Sequence, residues 1–149
     1  MKNRVLVTGA TGFIGKVLVD KLFKQSIYSV QVVVRDKHLI QYDESIEVSY
    51  IPDISNETDW SNVLAGCNVI IHTAAKVHVM ENRTPNPFYE FYRVNVEGTL
   101  NLAKRAVEFG VKRFIFLSSI IVNGDVTPPG KPFQPDVATG PEEPDALSK

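Results

Sequence analysis

Cysteine is nearly missing from this chain: Cys67 stands alone among 149 residues. A disulfide framework within the chain is therefore excluded, and the composition suits a reducing compartment, so a cytoplasmic protein is expected. Cys67 lies between a helix end marked by Gly66 and the start of a strand, which reads as a small packed residue rather than a nucleophile. Long apolar runs are missing too. No window approaches the length of a membrane span. Only Val5 to Thr8 separate the polar N-terminus from the first glycine, too short a stretch for an export signal. Nor is there an excess of charge: 16 Lys plus Arg face 17 Asp plus Glu, for a net charge of −1. That balance, with no basic run, argues against nucleic acid or an anionic membrane as partner. His38, His72 and His78 lack the spacing of a metal site and no Cys or carboxylate cluster completes one, so no metal is expected.

What is present is enough hydrophobic residue, 44%, to bury the core of one domain. Val5 to Thr8 is a short apolar run ending at a glycine, as a buried parallel strand would be. Ile14, Val17, Leu18 and Leu22 then follow helical spacing, and Val30 to Val34 is a second β-branched run, which completes a βαβ unit. Further strands are expected at Val48 to Ile51, Val69 to His72 and Phe114 to Leu117. A short helix capped by Ser55 or Asn56 should run through Trp60 and Leu64 to Gly66. A long one should start at Pro87, capped by Asn86, and run to Phe109. Apolar strands alternating with helices predict an α/β fold, a Rossmann-type doubly wound parallel sheet in the order 3-2-1-4-5. Six of the nine prolines fall between Pro128 and Pro144, which reads as an irregular loop over the carboxyl edge of the sheet.

Between the first strand and helix stands Thr8-Gly9-Ala10-Thr11-Gly12-Phe13-Ile14-Gly15. Glycines three apart serve a tight turn, the approach of backbone to a pyrophosphate, and close helix–strand packing. The helix start adds free N–H groups and a partial positive charge. A dinucleotide is the ligand this turn predicts. The residue that reads the adenosine ribose should come about twenty positions later. There stand Arg35, which suits a 2′-phosphate and NADP, and Asp36, which suits free ribose hydroxyls and NAD. The residues leave that choice open.

Taken together, these segments resemble the extended short-chain dehydrogenase/reductase family, in its NAD-dependent epimerase/dehydratase branch acting on nucleotide sugars. The glycine motif at residues 8–15 is followed by Asp53-Ile54, similar to the acidic-aliphatic pair that contacts adenine in the family. His72-Thr73-Ala74-Ala75, with Lys76 after it, resembles the HxAA segment lining the cofactor, and Asn95-Val96-Glu97-Gly98-Thr99 the NxxGT stretch of the long helix. Leu117-Ser118-Ser119, then Val122-Asn123-Gly124, resemble the fifth-strand segment. The resemblance implies that Gly9, Thr11, Gly12, Phe13, Ile14, Gly15, Arg35, Asp53, Ile54, Thr73, Ala74, Ala75, Lys76, Asn95, Leu117, Ser118 and Lys149 bind NAD or NADP. It also implies catalytic roles for Ser119, on the reacting oxygen, and Lys149, on the nicotinamide ribose. A nucleotide-sugar substrate, hydride transfer at a sugar carbon and a homodimer paired through the long helix complete the expectation.

One position departs from the pattern. Four residues before Lys149, where the family carries the tyrosine that moves the substrate proton, stands Asp145. A carboxylate with a pKa near 3.9, roughly, is a poor acceptor for an alcohol proton. Three readings stay open: a binding module without turnover, a segment short of a tyrosine-containing dipeptide after Ala146, or an accidental lysine match. Tyr89 and Tyr92 do not fill the role and read as helix packing residues. The second departure is that family members run on for about another chain length to hold the sugar. A cofactor-binding domain over residues 1–149, from a longer protein, is expected.

Overall fold

The computed structural model describes residues 2–36, 42–77, 87–124, 126–127, 129–134 and 144–148. Five parallel strands form one sheet: β1 (Asn3–Thr8), β2 (Tyr28–Val34), β3 (Glu47–Tyr50), β4 (Val69–His72) and β5 (Arg113–Phe116). Their order is β3-β2-β1-β4-β5, as the alternation of apolar strands and helices predicts. β1 pairs with β2 from Asn3 opposite Tyr28 to Thr8 opposite Val33, and with β4 from Val5 opposite Val69 to Thr8 opposite His72. β1 is thus central, and its last residue is flanked on both sides.

Side chains alternate across the pleat, so the two faces bury different residues. Leu6, Val33 and Ile70 pack with Trp60, Leu64, Leu102 and Ala106 on one face. Val5, Val7, Val30 and Val32 pack with Val19 on the other. The first face is covered by α2 (Ser61–Leu64) and α4 (Thr99–Glu108), the second by α1 (Phe13–Lys24). Leu6, Leu64, Ile70 and Leu102 are wholly buried, each worth about 1.5–3 kcal/mol of transfer free energy. Trp60 is wholly buried as well, a packing anchor.

The short helix differs from expectation. Ser55 does not cap it: its hydroxyl accepts from Glu57 N in a turn that Thr58 completes by donating to Asp53 O. The helix starts six residues later, where Asp59 Oδ1 accepts from Ser61 N at 2.9 Å. The long helix is not uniform either. α3 (Pro87–Phe91) passes into a π-helical stretch, Tyr92–Gly98, before α4 resumes α-helical geometry. Such stretches concentrate at functional sites. Gly98 ends it because the helix crosses the backbone after β3 with no room for a side chain: a Cβ there would lie 2.6 Å from Ile54 Cγ2 and 3.1 Å from Ile54 O.

After β5 come a 3-10 turn (Ile120–Asn123) and α5 (Pro144–Leu147). Most of the proline-rich stretch, His38, His78 and Asn86 lie outside the described residues. Among the described residues no helix is long and apolar enough to cross a membrane.

Candidate functional site

The sheet brings the carboxyl ends of β1, β2 and β4 together with the loop after β3, and there the chain opens a cleft of about 220 Å³. β1 must reverse at once into α1. Gly9 takes φ +70°, and a Cβ on it would sit 2.6 Å from Ala74 N. Gly12 N donates to Gly9 O at 2.9 Å, closing the turn. Gly15 lies against the same turn, where a Cβ would come within 2.1 Å of Gly9 O. The first and third glycines are thus required by packing, while a Cβ on Gly12 would meet only Gly9 O, at 3.3 Å. Thr11 lines the cleft with Gly9 and Gly12. Phe13 and Ile14 do not: their side chains are 92% and 52% exposed. What they can give an anion is the backbone N–H of the first helical turn.

From β2 the wall is Val33, Val34 and Arg35. Arg35 has no hydrogen bond or ion pair among the described residues and stands exposed at the rim. Beyond β3, Ile51, Asp53 and Ile54 continue it, and Thr73 to Lys76 follow from β4. That last segment is pinned to β1. Thr73 Oγ1 donates to Thr8 O at 2.7 Å, and Ala74 N donates to Thr8 Oγ1 at 3.4 Å. His72 is a buried strut of the same joint, its Nδ1 2.6 Å from Thr8 Oγ1 and its Nε2 2.9 Å from Thr99 Oγ1. It is 1% exposed, which fits a hydrogen-bonded packing residue.

Asn95 sits in the π-helical stretch and clamps rather than lines. Its Oδ1 accepts from Lys76 N at 2.8 Å, while Nδ2 donates to Lys76 O at 2.9 Å and Ser148 Oγ at 2.8 Å. One buried amide thus joins the β4 loop to the residue before Lys149.

Two charged residues that motif reading passed over stand beside it. Lys76 Nζ pairs with Glu90 Oε2 at 2.7 Å, Glu90 lies 4.0 Å from Arg93, and Arg93 pairs with Asp53. Arg93 and Val94 line the cleft opposite the strand ends. The Lys76 ammonium holds the Glu90 carboxyl below its ordinary range, and the Asp53 carboxylate pushes the Arg93 guanidinium up. A helix with a regular 3.6-residue period gives no reason to single these out. The widened stretch carries Arg93, Val94 and Asn95 to the cleft and its rim.

The second cluster lies past β5. Leu117 N donates to His72 O at 3.0 Å, extending the pairing by one residue. Ser118 and Ser119 then line a separate open depression with Ile120, Val122, Asn123 and Phe133. Ser119 Oγ accepts from Ile121 N at 3.4 Å, capping the 3-10 turn. The structure therefore gathers the glycine turn, Arg35, Asp53, Ile54 and Thr73 to Lys76 around one cleft, and places Leu117, Ser118 and Ser119 apart from it. Lys149 lies outside the described residues; Ala146 and Ser148, on and just after α5, are buried. Tyr89 and Tyr92 are 55% and 39% exposed, not packed inside as expected, although the Tyr92 ring lies 5.9 Å from Phe88. Among the described residues no group of three His, Cys, Asp or Glu could hold a metal.

A family model described as "NAD dependent epimerase/dehydratase family" matches residues 5–149. The chain belongs to this family. Among curated proteins, the UDP-glucose 4-epimerase of Vibrio cholerae is 42% identical over 149 residues, covering 100% of this chain and 44% of the relative. A 3-beta-hydroxysteroid dehydrogenase of Mycolicibacterium neoaurum is 35% identical over 137 residues, covering 85% of this chain and 37% of the relative. The chain thus spans less than half the length of these epimerase/dehydratase relatives. Among solved structures, MoeE5 in complex with UDP-glucose and NAD superposes with a TM-score of 0.77 at 29% identity, covering 98% of this chain and 45% of that one.

Proposed function

We propose that residues 1–149 are the cofactor-binding domain of an NAD-dependent nucleotide-sugar epimerase. The observation that carries the reading is the 42% identity to a UDP-glucose 4-epimerase over 149 residues, 100% of this chain. The residues present fit a dinucleotide. Gly12 lines the cleft without a side chain, the first turn of α1 offers unpaired N–H groups, and Val33, Ile51, Ile54 and Val94 make an apolar wall for a flat base.

Bound NAD would supply a reversible hydride acceptor, whose chemistry belongs to the cofactor. This chain's residues would do the rest. The α1 terminus neutralises the pyrophosphate, Lys76 adds charge at the cleft, and Lys149 takes the nicotinamide ribose. Leu117 and Ser118 flank the nicotinamide end, and Ser119 donates to the oxygen on the reacting sugar carbon. The remaining requirement is a group to take the hydroxyl proton, and Asp145 stands where the family has its tyrosine. The test is direct: the full-length protein is incubated with UDP-galactose and the UDP-glucose formed is measured. Interconversion without net cofactor consumption is expected. Retained NAD without interconversion would remove the epimerase reading and leave the cofactor-binding one, a module without turnover.

The steroid dehydrogenase relative and the exposed Arg35 favour a second reading, an NADPH-dependent reductase of a small carbonyl compound. Oxidation of NADPH by a simple ketone, with no response to UDP-sugars, would establish it instead. The outer face of α4 carries Leu100 and Val107, 53% and 79% exposed, which supports a homodimer through this helix; sedimentation of the full-length protein tests it. A buried free thiol at Cys67 supports a cytoplasmic location.

A further inference from the structure

Among the described residues, the ion pair between Arg93 and Asp53 is the one charged contact from the π-helical stretch to the loop after β3. It borders the apolar wall of Val33, Ile51, Ile54 and Val94, after β3 and so at the opposite edge of the sheet from Ser119, which follows β5. A dinucleotide whose phosphates lie on the α1 terminus and whose reacting end faces Ser119 leaves its other base at this wall. This step rests on the cofactor reading above.

Arg93 Nη1 takes Asp53 Oδ2, and Asp53 Oδ1 has no hydrogen-bond partner among the described residues. The two oxygens of one carboxylate are thus given different tasks. One is fixed by a five-donor fork with no acceptor capacity. The other is left at the rim of an apolar slot, able only to accept. An acceptor at that place selects a base edge carrying an exocyclic amino group, as adenine does, and rejects one carrying a carbonyl. Without its arginine, the half-exposed Asp53 carboxylate would be free to rotate into water. We propose that Arg93 is a specificity-determining positioning residue: by holding one oxygen of Asp53, it aims the other at the exocyclic amino group of the cofactor's base.

The carboxamide variant gives the sharpest test. In Asp53→Asn, Arg93 can bind only the amide oxygen, which turns the amide NH2 toward the base and makes the slot a donor. Binding of NAD and of nicotinamide hypoxanthine dinucleotide, which carries a carbonyl in place of the amino group, is measured calorimetrically on the full-length protein. Nicotinamide mononucleotide serves as the control ligand without that base. The wild type is expected to prefer NAD by about tenfold, the worth of one good hydrogen bond. Asp53→Asn is expected to reverse the preference, and the double variant Asp53→Asn/Arg93→Met, which has no donor at position 93, to lose the reversal. Arg93→Met alone should reduce discrimination to within about threefold, with Arg93→Lys intermediate, and mononucleotide binding should not change. An arginine with a merely structural role would weaken both dinucleotides in parallel and keep their ratio; that result overturns the proposal. So does a reversal in Asp53→Asn that persists without Arg93. If the single variants do not fold, Asp53→Asn/Arg93→Met against Asp53→Asn/Arg93→Lys still decides, because the lysine can donate to the amide oxygen and the methionine cannot. A wild-type protein that binds neither dinucleotide overturns the cofactor reading and this inference with it.

Discussion

The cleft and the separate depression past β5 are built by different means. At the β1–β2–β3 end, the ligand surface is mostly backbone and small side chains, backed by two full cores, and Gly9, Gly12 and Gly15 fix its shape through contacts of 2.1–3.3 Å that a Cβ would make. At the β5 end, Ile115, Phe116 and Leu117 are 42%, 38% and 43% exposed, Ile120 is 65% exposed, and Ser118 and Ser119 line an open depression. Recognition of a constant ligand tolerates a rigid, self-supporting surface. Reaction on a variable one draws side chains from separate segments, with less packing behind each.

The largest effect should come from filling the rigid end. Gly15→Ala places a methyl 2.1 Å from Gly9 O, against backbone that cannot yield. A loss of about 3 kcal/mol or more is expected, read as a fall in denaturation midpoint together with loss of dinucleotide binding. Wild-type stability in this variant would mean that the turn is softer than its packing implies. Next is the joint between β1, β4 and the long helix. His72→Leu removes the hydrogen bonds to the half-buried Thr99 hydroxyl and to the buried Thr8 hydroxyl, which keeps only the 3.4 Å contact from Ala74 N, so a cost of about 1–3 kcal/mol is expected in urea titration. At the open end the effect should leave stability alone. Ser119→Ala gives up only a 3.4 Å cap contact, so the midpoint should hold while kcat falls about 100-fold. A drop in both would erase the contrast.

The smallest effect concerns charge. The Glu90 carboxyl is held below its ordinary range, first by the hydrogen bond from Lys76. A depressed carboxyl stabilises the fold fully above its unfolded value and loses that contribution as pH falls through the lower folded value. Glu90→Gln should therefore cost about 0.5 kcal/mol at neutral pH. The difference between variant and wild type should shrink as pH falls below the ordinary carboxylate range and vanish once pH is under the lowered folded value. A difference that is constant with pH would assign the loss to packing rather than to the pair.

How much of this was legible without coordinates follows from the same contrast. The strand order follows from apolar runs and right-handed crossovers, and the glycine turn from steric needs that only glycine meets. Gly98 is marked by its helix cost of roughly 1 kcal/mol against Ala, and Ile54 supplies the close approach that explains it. Arg93 and Glu90 were not legible, because a π-helical stretch breaks the period from which helix faces are read. The start of α2 is not legible because Ser55 is a good cap in sequence, and only the hydrogen bonds of the loop show its hydroxyl engaged in a turn before the helix, which begins at Ser61. The partners of the Asn95 amide, Lys76 and Ser148, are not legible either, because they meet it only across the fold.

The central place of β1 also governs how the protein is made. Its hydrogen-bonding edge opposite β2 waits for β4, and Thr8 and His72 are 64 residues apart. At a synthesis rate of about 5–20 residues per second, that edge stays unpaired for roughly 3–13 seconds after it leaves the ribosome. During that interval Val5, Leu6 and Val7 form an open template for a neighbouring chain. The same strand that organises the finished sheet is therefore its chief hazard during birth, and chaperone demand should track the rate at which residues 9–72 are translated.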